Sequence, residues 1–494
     1  MIKLSDLLKP YIDIAIPHDC NLHGIALDSR EVKPGYLFFA YPGAEQDGRQ
    51  YINDAMARGA IVVLAEDTQS TVSQNQGVLL ITMPDLRKKI SEMAACFYHD
   101  PSKSLRKVGI TGTNGKTSCS HFIAASLQSL NIPCGVIGTL GNGLYGHLNT
   151  TTLTTPDPIT LQKTFVDFIL EGAKVVAMEV SSHSLDQGRV AGIQFEVGVF
   201  TNLTRDHLDY HGSMQAYGDA KRKLFERSHF AVINADDEFG QKLIESLPRE
   251  NTFAYSTLNK KNAAIFTDAV QLDISGIKAT IFSPWGEGEI NAPLIGRFNL
   301  SNVLAVFTTL CLMGIPFESV RECLSQLTPV PGRMQTLGGG KQPLVIVDYS
   351  HTPDALEKVL LALRQHCQGK LYCLFGCGGD RDRGKRPMMA KIAEQYSDYV
   401  MVTDDNPRTE DPQQIVNDIL SGFENASVIE VQHNRSKAIK DIIQYAHAGD
   451  CVLIAGKGAE TYQQIGNDKI PFSDVEKARE SLLSPLPLTG EGSR

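Results

Sequence analysis

The sequence predicts an α/β fold in three domains, and three observations lead to this prediction. Short, continuous apolar runs, of the kind found in strands buried on both faces, recur along the chain. Segments with helical spacing separate several of these runs, and strands that alternate with helices indicate parallel sheets. The length of 494 residues is enough for about three domains of ~150 residues each.

The predicted domains comprise residues 1–100, 101–330 and 331–494. In the first domain, strands are expected at Ala60-Ile-Val-Val-Leu-Ala and Val78-Leu-Leu-Ile-Thr. In the other two, strands are expected at the apolar runs that begin at Val108, Val136, Val175, Val197, Phe230, Leu344, Leu371, Tyr399 and Cys451. The tail from Ser484 to Arg494 is expected to be disordered, because it is rich in small and polar residues and in proline.

Composition excludes several classes of function. The net charge of −9, from 47 basic and 56 acidic residues, argues against a general nucleic-acid binder. No apolar run reaches the ~18 residues of a membrane span, and the start of the chain is a poor secretory signal. The ten cysteines are scattered, which fits free thiols in a reducing cytoplasm better than a structural zinc site.

A glycine-rich loop with a lysine stands between a predicted strand and a predicted helix. Its residues are Gly112, Thr113, Asn114, Gly115, Lys116, Thr117 and Ser118. Glycines let backbone N–H groups face phosphates, and the helix N-terminus adds positive potential. We expect Lys116 to reach the β- and γ-phosphates of ATP and the Thr117 hydroxyl to bind Mg²⁺. Ile110 stands where the strict pattern has glycine, and the alternative is a glycine-rich turn with a chance lysine.

Two further side chains are candidate magnesium ligands. Glu179 ends a buried apolar run, where a carboxylate is costly unless it is paired or bound to a metal. His207 follows another strand end, and either it or Asp206 could complete the site. Because Mg²⁺ prefers oxygen ligands, a helix-capping or core role for His207 stays open.

An ordered set of motifs extends from about Leu27 to Phe472. Besides the phosphate loop, the motifs are Leu27-Asp-Ser-Arg, Glu179-Val-Ser-Ser-His, Thr201-Asn-Leu-Thr-Arg-Asp-His-Leu-Asp-Tyr-His, Tyr217-Gly-Asp-Ala-Lys-Arg-Lys-Leu-Phe, Gly296-Arg-Phe-Asn-Leu-Ser-Asn, Pro331-Gly-Arg-Met, Asp348-Tyr-Ser-His-Thr-Pro-Asp-Ala-Leu, Gly376-Cys-Gly-Gly-Asp-Arg-Asp, Asp405-Asn-Pro-Arg and Gly456-Lys-Gly-Ala-Glu. Together they resemble the Mur ligases of bacterial peptidoglycan synthesis, a process needed for cell shape and cell division.

The resemblance implies a first domain that holds a uridine nucleotide, a central P-loop ATPase domain with a parallel sheet, and a Rossmann-like C-terminal domain that carries the incoming amino acid. The implied reaction is the ATP-dependent addition of meso-diaminopimelate to UDP-N-acetylmuramoyl-L-alanyl-D-glutamate. It passes through an acyl phosphate on the D-glutamate carboxylate. Phosphorylation gives that carboxylate a good leaving group, so the enzyme must mainly position the reactants and stabilise charge.

The resemblance also implies roles for individual residues. ATP contacts are implied for Asn302, Arg333 and Asp348, in addition to the loop. Contacts with the UDP-linked substrate are implied for Leu27, Ser29, Thr154, Thr155, Ser181, Gln187 and Arg189. The chain departs from several relatives at Leu153, where they have asparagine, and in the stretch that begins at Ala44.

Lys221 matches the lysine that the family carries as an N6-carboxylated side chain. A carbamate is an anion that can bind a second Mg²⁺, whereas a lysine ammonium with a reference pKa of ~10.4 cannot. The implied catalytic set is Lys116, Glu179, His207 and Lys221, and the implied ligands of two magnesium ions are Thr117, Glu179, His207 and Lys221. The alternative for Lys221 is a solvated helical lysine like its neighbours Arg222 and Lys223.

The resemblance further implies contacts with the incoming amino acid, diaminopimelate. The residues are Arg381, Asp405, Asn406, Pro407, Arg408, Gly456 and Glu460. Arg408 suits the distal carboxylate of diaminopimelate, which lysine lacks, and Glu460 suits its distal ammonium. Ala459 stands where relatives have histidine. The alternative for Arg408 is a turn arginine that follows Asn-Pro.

Two other functions compete with this hypothesis. A folylpolyglutamate synthetase resembles the family in its ATP domain, but it would lack the Leu27 and Asp405 motifs. A nucleotide-driven switch or motor would hydrolyse ATP without an acceptor amino acid. As a Mur ligase, the chain is expected to be a cytoplasmic monomer with no nucleic-acid partner and no membrane insertion.

Overall fold

The structure is a computed structural model that describes residues 2–12, 16–43, 46–151, 153–258, 263–273, 276–365 and 367–483. The position of Ala44 and the tail from Ser484, for which the sequence made predictions, lie outside the described residues. Within these ranges, no helix combines the length and the apolar character that crossing a membrane requires.

The chain alternates helices and strands along most of its length. The helices are α1 (Leu4–Leu8), α2 (Ile52–Ala57), α3 (Leu86–Phe97), α4 (Lys116–Ser129), α5 (Pro158–Leu170), α6 (Ser182–Asp186), α7 (Leu208–His211), α8 (Met214–Arg222), α9 (Glu238–Ser246), α10 (Arg297–Leu312), α11 (Phe317–Ser325), α12 (Pro353–Arg364), α13 (Lys385–Tyr396), α14 (Pro412–Leu420), α15 (Arg435–Tyr445) and α16 (Asp474–Leu483). The strands are β1 (Ile2–Lys3), β2 (Asn21–Leu22), β3 (Gly24–Ala26), β4 (Tyr36–Ala40), β5 (Ala60–Glu66), β6 (Thr71–Asn75), β7 (Val78–Met83), β8 (Arg106–Thr111), β9 (Cys134–Gly138), β10 (Gly141–Leu144), β11 (His147–Asn149), β12 (Val175–Glu179), β13 (Phe195–Phe200), β14 (Ser228–Asn234), β15 (Thr252–Ser256), β16 (Ile265–Asp273), β17 (Gly276–Ser283), β18 (Gly286–Ala292), β19 (Gln335–Gly338), β20 (Leu344–Asp348), β21 (Leu371–Phe375), β22 (Tyr399–Thr403), β23 (Glu430–Gln432), β24 (Cys451–Ala455), β25 (Tyr462–Ile465) and β26 (Asp468–Pro471).

Local sequence fixes where several helices begin. Asp157, Thr352 and Asp411 each cap a helix through a side-chain oxygen that accepts a backbone N–H of the first turn. In all three helices the next residue is proline, whose fixed φ suits the first helical position and whose missing N–H is not needed there. These starts are therefore set by local chemistry as well as by packing.

The chain forms two compact units. Unit 1 comprises Met1–Thr111, Leu127–Val199 and Ala220–Ala231. Unit 2 comprises Gly112–Ser126, Phe200–Asp219 and Val232–Arg494.

Unit 1 contains a five-stranded sheet with the order β3-β4-β5-β7-β6. Its strands are parallel except β6, which is antiparallel to β7. Unit 1 also contains β11, β10, β9, β12, β8 and β13 side by side in this order, with β9, β12 and β8 parallel. The β10–β11 hairpin is antiparallel, and the sequence did not predict it.

Unit 2 contains a six-stranded sheet with the order β19-β20-β24-β21-β22-β23, parallel except at β19. Alternate residues of β20 face opposite sides, since Val345 and Val347 belong to one buried apolar cluster and Ile346 to another. This sheet has the parallel, two-sided arrangement expected of the C-terminal domain. Unit 2 also holds β15 to β18, where β16, β17 and β18 form an antiparallel meander that the sequence did not predict.

Candidate active site

The phosphate loop lies where the sequence placed it, directly before α4. Two glycines are required by space, because a Cβ on Gly112 would lie 1.9 Å from Thr201 Oγ1 and one on Gly115 would lie 2.5 Å from Asn302 Oδ1. Gly115 also has a φ of +87°, which favours glycine. Lys116 Nζ donates to the carbonyls of Gly112 at 2.9 Å and Thr113 at 2.8 Å. The lysine therefore lies folded over its own loop.

Two of the three predicted ATP residues outside the loop lie against it. Arg333 Nη2 donates to Thr117 Oγ1 at 3.1 Å, and its guanidinium stacks 4.2 Å from the centroid of the Tyr349 ring. Asn302 lies on α10, beside Gly115. Asp348, at the end of β20, accepts the backbone N–H groups of Met334 and Ser350 at 2.8 Å each. It therefore orders the segment next to Arg333.

His207 stands at the N-cap position of α7, but its side chain takes neither of the structural roles that were alternatives to metal binding. It precedes α7 with a φ of +52°, its side chain makes no capping hydrogen bond, and that side chain is 38% exposed. Its Nε2 lies 3.4 Å from Asp206 Oδ2. The imidazole is thus neither a cap nor part of the core.

Asp206 is the centre of a buried charged cluster. Besides His207, it faces His351 Nε2 at 3.7 Å and Lys385 Nζ at 3.9 Å. Burial alone would raise the pKa of Asp206, but the contact with His351 and the charges of His207 and Lys385 hold this pKa well below its usual range. Asp206 is therefore a carboxylate at neutral pH.

Glu179 is a fully buried carboxylate at the end of β12. It accepts hydrogen bonds from the Thr139 backbone N–H at 2.8 Å and the Thr139 hydroxyl at 3.2 Å. A Cβ on Gly138 would lie 2.2 Å from Glu179 Oε1, so only glycine leaves room for the carboxylate. No ion pair of Glu179 exists within the described part of the chain.

Five residues predicted to contact the UDP-linked substrate are linked to one another beside Glu179. The Thr155 hydroxyl donates to the Glu179 carbonyl at 2.9 Å and contacts the Ser181 hydroxyl at 3.3 Å. The Thr154 and Thr139 hydroxyls are 3.2 Å apart. Arg189 is held by the Thr155 carbonyl and by Gln187 Oε1, at 2.8 Å and 2.9 Å. The five predicted residues in this group are Thr154, Thr155, Ser181, Gln187 and Arg189.

The remaining predicted residues of unit 1 lie in other elements. Leu27 and Ser29 flank Asp28, which caps the short helical turn after β3 by accepting the Arg30 backbone N–H at 2.9 Å. Lys221 lies near the end of α8 with only 1% of its surface exposed, while Arg222 beside it is exposed. Lys221 is therefore not a solvated helical lysine.

The predicted amino-acid site is assembled at the carboxyl ends of β22 and β24. Asn406 Nδ2 donates to Glu460 Oε2 at 2.9 Å. Gly456 has a φ of +115°, and a Cβ there would lie 2.6 Å from Asp405 Oδ2. The Gly456 N–H donates to the Asp348 carbonyl at 3.0 Å. This bond links the amino-acid site to a predicted ATP residue.

Arg408 and Arg381 lie on either side of a glycine pair. Arg408 Nη1 donates to the Gly379 carbonyl at 2.7 Å, and a Cβ on Gly378 would lie 2.8 Å from that nitrogen and 3.9 Å from Arg381 Cγ. The Arg408 backbone has a φ of +52° and bonds to β25 through Gln464. Arg408 therefore combines a turn conformation with a partly buried guanidinium, and Arg381 is exposed.

Sequence reasoning gave no role to four residues that contact the predicted ones. They are Thr139, His351, Lys385 and Lys457. His351 and Lys457 stand inside motifs that were recognised, so their position was a usable signal. Thr139 and Lys385 carry no such signal, because only the fold brings them to Glu179 and Asp206.

The described residues contain no group of three or more His, Cys, Asp or Glu side chains arranged to hold a metal ion. The predicted magnesium ligands include only two residues of these types, since the others are a threonine and a lysine that is predicted to be carboxylated. Their role as metal ligands stays a prediction.

Comparison with known proteins identifies the family. Models of the Mur ligase family match three segments, which are the catalytic domain over residues 21–98, the middle domain over residues 110–310 and the glutamate ligase domain over residues 332–458. The chain therefore belongs to the Mur ligase family. The match over residues 21–98 lies in the segment that a folylpolyglutamate synthetase was expected to lack.

Individual relatives are similar over nearly the whole chain. The UDP-N-acetylmuramoyl-L-alanyl-D-glutamate–2,6-diaminopimelate ligase of Coxiella burnetii is 50% identical over 95% of this chain and 97% of its own length. The ligase of the same name from Pseudomonas aeruginosa is 49% identical over 94% of this chain and 96% of its own length. A solved structure of a ligase with this name has a TM-score of 0.70 and 36% identity, and the match covers 97% of this chain and 98% of that one.

Proposed function

We propose that this protein uses ATP to join meso-diaminopimelate to the D-glutamate carboxylate of UDP-N-acetylmuramoyl-L-alanyl-D-glutamate. The observation that carries the proposal is the cluster of Asp405, Asn406, Gly456 and Glu460 with Arg408 at its edge. A guanidinium from the loop after β22 and a carboxylate from the loop after β24 match an amino acid whose distal end bears both a carboxylate and an ammonium. Relatives that are about half identical carry the same activity in their names.

The chemistry follows from the groups in unit 2. The loop N–H groups and Lys116 bind the phosphates of ATP, and Arg333 lies next to Thr117 at the start of α4. The substrate carboxylate attacks the γ-phosphorus, which gives an acyl phosphate and releases ADP. The amine of diaminopimelate then attacks the acyl carbon and releases phosphate. Positioning and charge stabilisation account for the catalysis.

The donor groups of the proposed ligands are chemically suited to magnesium ions. Glu179 offers a buried carboxylate that receives hydrogen bonds from Thr139 and has no cationic partner within the described residues. Such a group is costly to bury unless a cation balances it. Thr117 offers a hydroxyl and His207 a partly exposed imidazole. A bound magnesium ion would neutralise the charge of the phosphates.

Lys221 is proposed to be N6-carboxylated. Its burial supports this, because it sets Lys221 apart from the exposed Arg222 beside it. The neutral amine is the form of lysine that reacts with CO₂. The amine nitrogen forms a bond to the carbon of CO₂, and one proton leaves to solvent. The resulting carbamate is the proposed ligand of a second magnesium ion.

The organisation of the whole protein is also part of the proposal. The domain boundaries at residues 100/101 and 330/331 and the monomeric state stay predictions. We place the protein in the cytoplasm, since all ten cysteines are free in the structure and its nucleotide substrates are cytoplasmic.

Release of inorganic phosphate tests the proposed function. We expect rapid release only when ATP, the UDP-linked dipeptide and diaminopimelate are all present. Equal release without an amino acid would favour the nucleotide switch or motor. Equal release with a folate and glutamate in place of the two acceptors would favour the folylpolyglutamate synthetase.

A further inference from the structure

Lys457 is a fully buried cation inside the amino-acid site. Its Nζ donates to Glu460 Oε2 at 2.7 Å and to Asn406 Oδ1 at 2.9 Å. Asn406 Nδ2 donates to the same Glu460 oxygen at 2.9 Å, which closes a triangle of three side chains. The Tyr462 ring lies 5.6 Å from the ammonium and covers it. A buried ammonium is costly unless it is paired, so these contacts fix its position.

We infer that Lys457 is a positioning residue that sets the specificity for the incoming amino acid. The inference rests on the proposed function, in which Glu460 binds the distal ammonium of diaminopimelate and Arg408 binds its distal carboxylate. Two features of the triangle support this inference. The first is which oxygen of Glu460 accepts a hydrogen bond from Lys457, and the second is the charge that Lys457 balances.

The first feature is the choice of oxygen on Glu460. Oε2 receives hydrogen bonds from both Lys457 and Asn406, whereas Oε1 receives none within the described part of the chain. Glu460 retains 21% side-chain exposure. By holding Oε2, Lys457 and Asn406 leave Oε1 as the oxygen that can accept a hydrogen bond from the substrate ammonium.

The second feature is the balance of charge. Lys457 neutralises Glu460. Among the other charged residues of the predicted amino-acid site, Asp405 balances one of the two arginines, Arg381 and Arg408, so one positive charge is in excess. The distal end of diaminopimelate carries one carboxylate and one ammonium and is neutral overall. Lysine brings only an ammonium, which the excess positive charge repels. Lys457 thus disfavours lysine as well as positioning Glu460.

The direct test replaces Lys457 with methionine and measures steady-state kinetics for diaminopimelate and for L-lysine. We expect the KM for diaminopimelate to rise at least tenfold and the preference for diaminopimelate over lysine to fall. The KM values for ATP and the UDP-linked dipeptide should change less than twofold. The matched control is Lys469→Met, because Lys469 lies 4.4 Å from the same Tyr462 ring but is exposed, and it should behave like the unchanged protein.

A double-mutant cycle tests whether Lys457 acts through Glu460. If it does, Lys457→Met adds little to the loss already caused by Glu460→Gln, because the group that it positions has been removed. If the two losses multiply, Lys457 acts independently and the inference is wrong. Should Lys457→Met fail to fold, Lys457→Gln keeps a donor without the charge, and the same criteria apply to it.

Other outcomes also decide the question. An unchanged KM for diaminopimelate in the Lys457 variant contradicts the inference, and so does an equal rise in the KM for ATP, which indicates a general structural role. If the unchanged protein does not use diaminopimelate at all, the proposed function fails first. Failure of the proposed function can be distinguished from failure of the inference about Lys457, because it is seen in the unchanged protein.

Discussion

At the scale of a single residue, Arg408 is the side chain proposed to select the incoming amino acid. Its guanidinium is partly buried against Gly379. Arg408 follows Asn406 and Pro407 in the chain, and Asn406 contacts Glu460. Arginine presents a rigid fork of donors that matches a carboxylate, so its removal leaves that carboxylate without a partner.

Arg408→Ala should lower kcat/KM for diaminopimelate about 100-fold, because losing a desolvated charged contact costs about 3 kcal/mol. The measurement is ligase activity with varied diaminopimelate. Arg364→Ala is the matched control. Arg364 ends α12, in the same unit as Arg408, and forms an exposed ion pair with Asp398. Unchanged kinetics for Arg408→Ala would show that it serves the turn rather than the substrate.

Lys221 and Lys223 form a second matched pair at the residue scale. Lys221 is buried, whereas Lys223 forms an exposed ion pair with Asp186 at 2.9 Å. Lys221→Ala should abolish most activity, because it removes the amine proposed to become the carbamate, and Lys223→Ala should retain activity. Carbon-13 NMR with labelled CO₂ should show a carbamate signal that Lys221→Ala loses. A signal that persists in this variant would contradict the assignment.

At the scale of an element, the phosphate loop gives a steric prediction, because Gly115 has no room for a Cβ. Gly115 and Gly314 both have positive φ, at +87° and +80°, so alanine strains both. Only at Gly115 would the added Cβ collide, at 2.5 Å from Asn302 Oδ1, because no atom lies within 4 Å of a Cβ on Gly314. Gly115→Ala should raise the KM for ATP about tenfold, whereas Gly314→Ala should lower stability by about 1 kcal/mol and leave that KM unchanged. Equal KM values for the two variants would contradict the loop assignment.

Helix α4 carries a pH-dependent contribution to stability. Burial, aided by the charge of Arg333, lowers the pKa of His121 to about 4. The unfolded chain therefore binds a proton at a higher pH than the folded one, and stability falls as pH falls below ~6.5. Between pH 7 and pH 5 the loss should be about 2 kcal/mol, and it should be smaller in His121→Gln. Urea unfolding of both proteins at the two pH values measures it. An equal loss in both would contradict this origin.

The sequence was most informative where one physical rule dominates an element. Continuous apolar runs predicted strands such as β5, β12 and β24, because strands buried on both faces need apolar residues at every position. The antiparallel meander β16–β18 was missed, because strands with one exposed face alternate buried and exposed residues and therefore lack the continuous apolar runs that marked the other strands. Polar contacts such as Thr139 with Glu179 could not be predicted, since residues distant in sequence meet only after the sheets form.

At the scale of the whole molecule, three family segments lie along one chain and supply three kinds of chemistry. We propose that residues linked to Glu179 hold the UDP-linked substrate, that the phosphate loop binds ATP, and that the group around Glu460 receives the amino acid. The Gly456 N–H that donates to the Asp348 carbonyl connects the last two groups directly.

The central claim is the identity of the amino acid that this ligase adds. The most direct test supplies ATP, Mg²⁺ and UDP-N-acetylmuramoyl-L-alanyl-D-glutamate with a panel of amino acids and identifies the product by mass. The expected result is a UDP-linked tripeptide with meso-diaminopimelate and at least 100-fold lower kcat/KM for L-lysine, since a missing charged contact costs about 3 kcal/mol. A product formed equally well with L-lysine, or no product with diaminopimelate, would contradict the account.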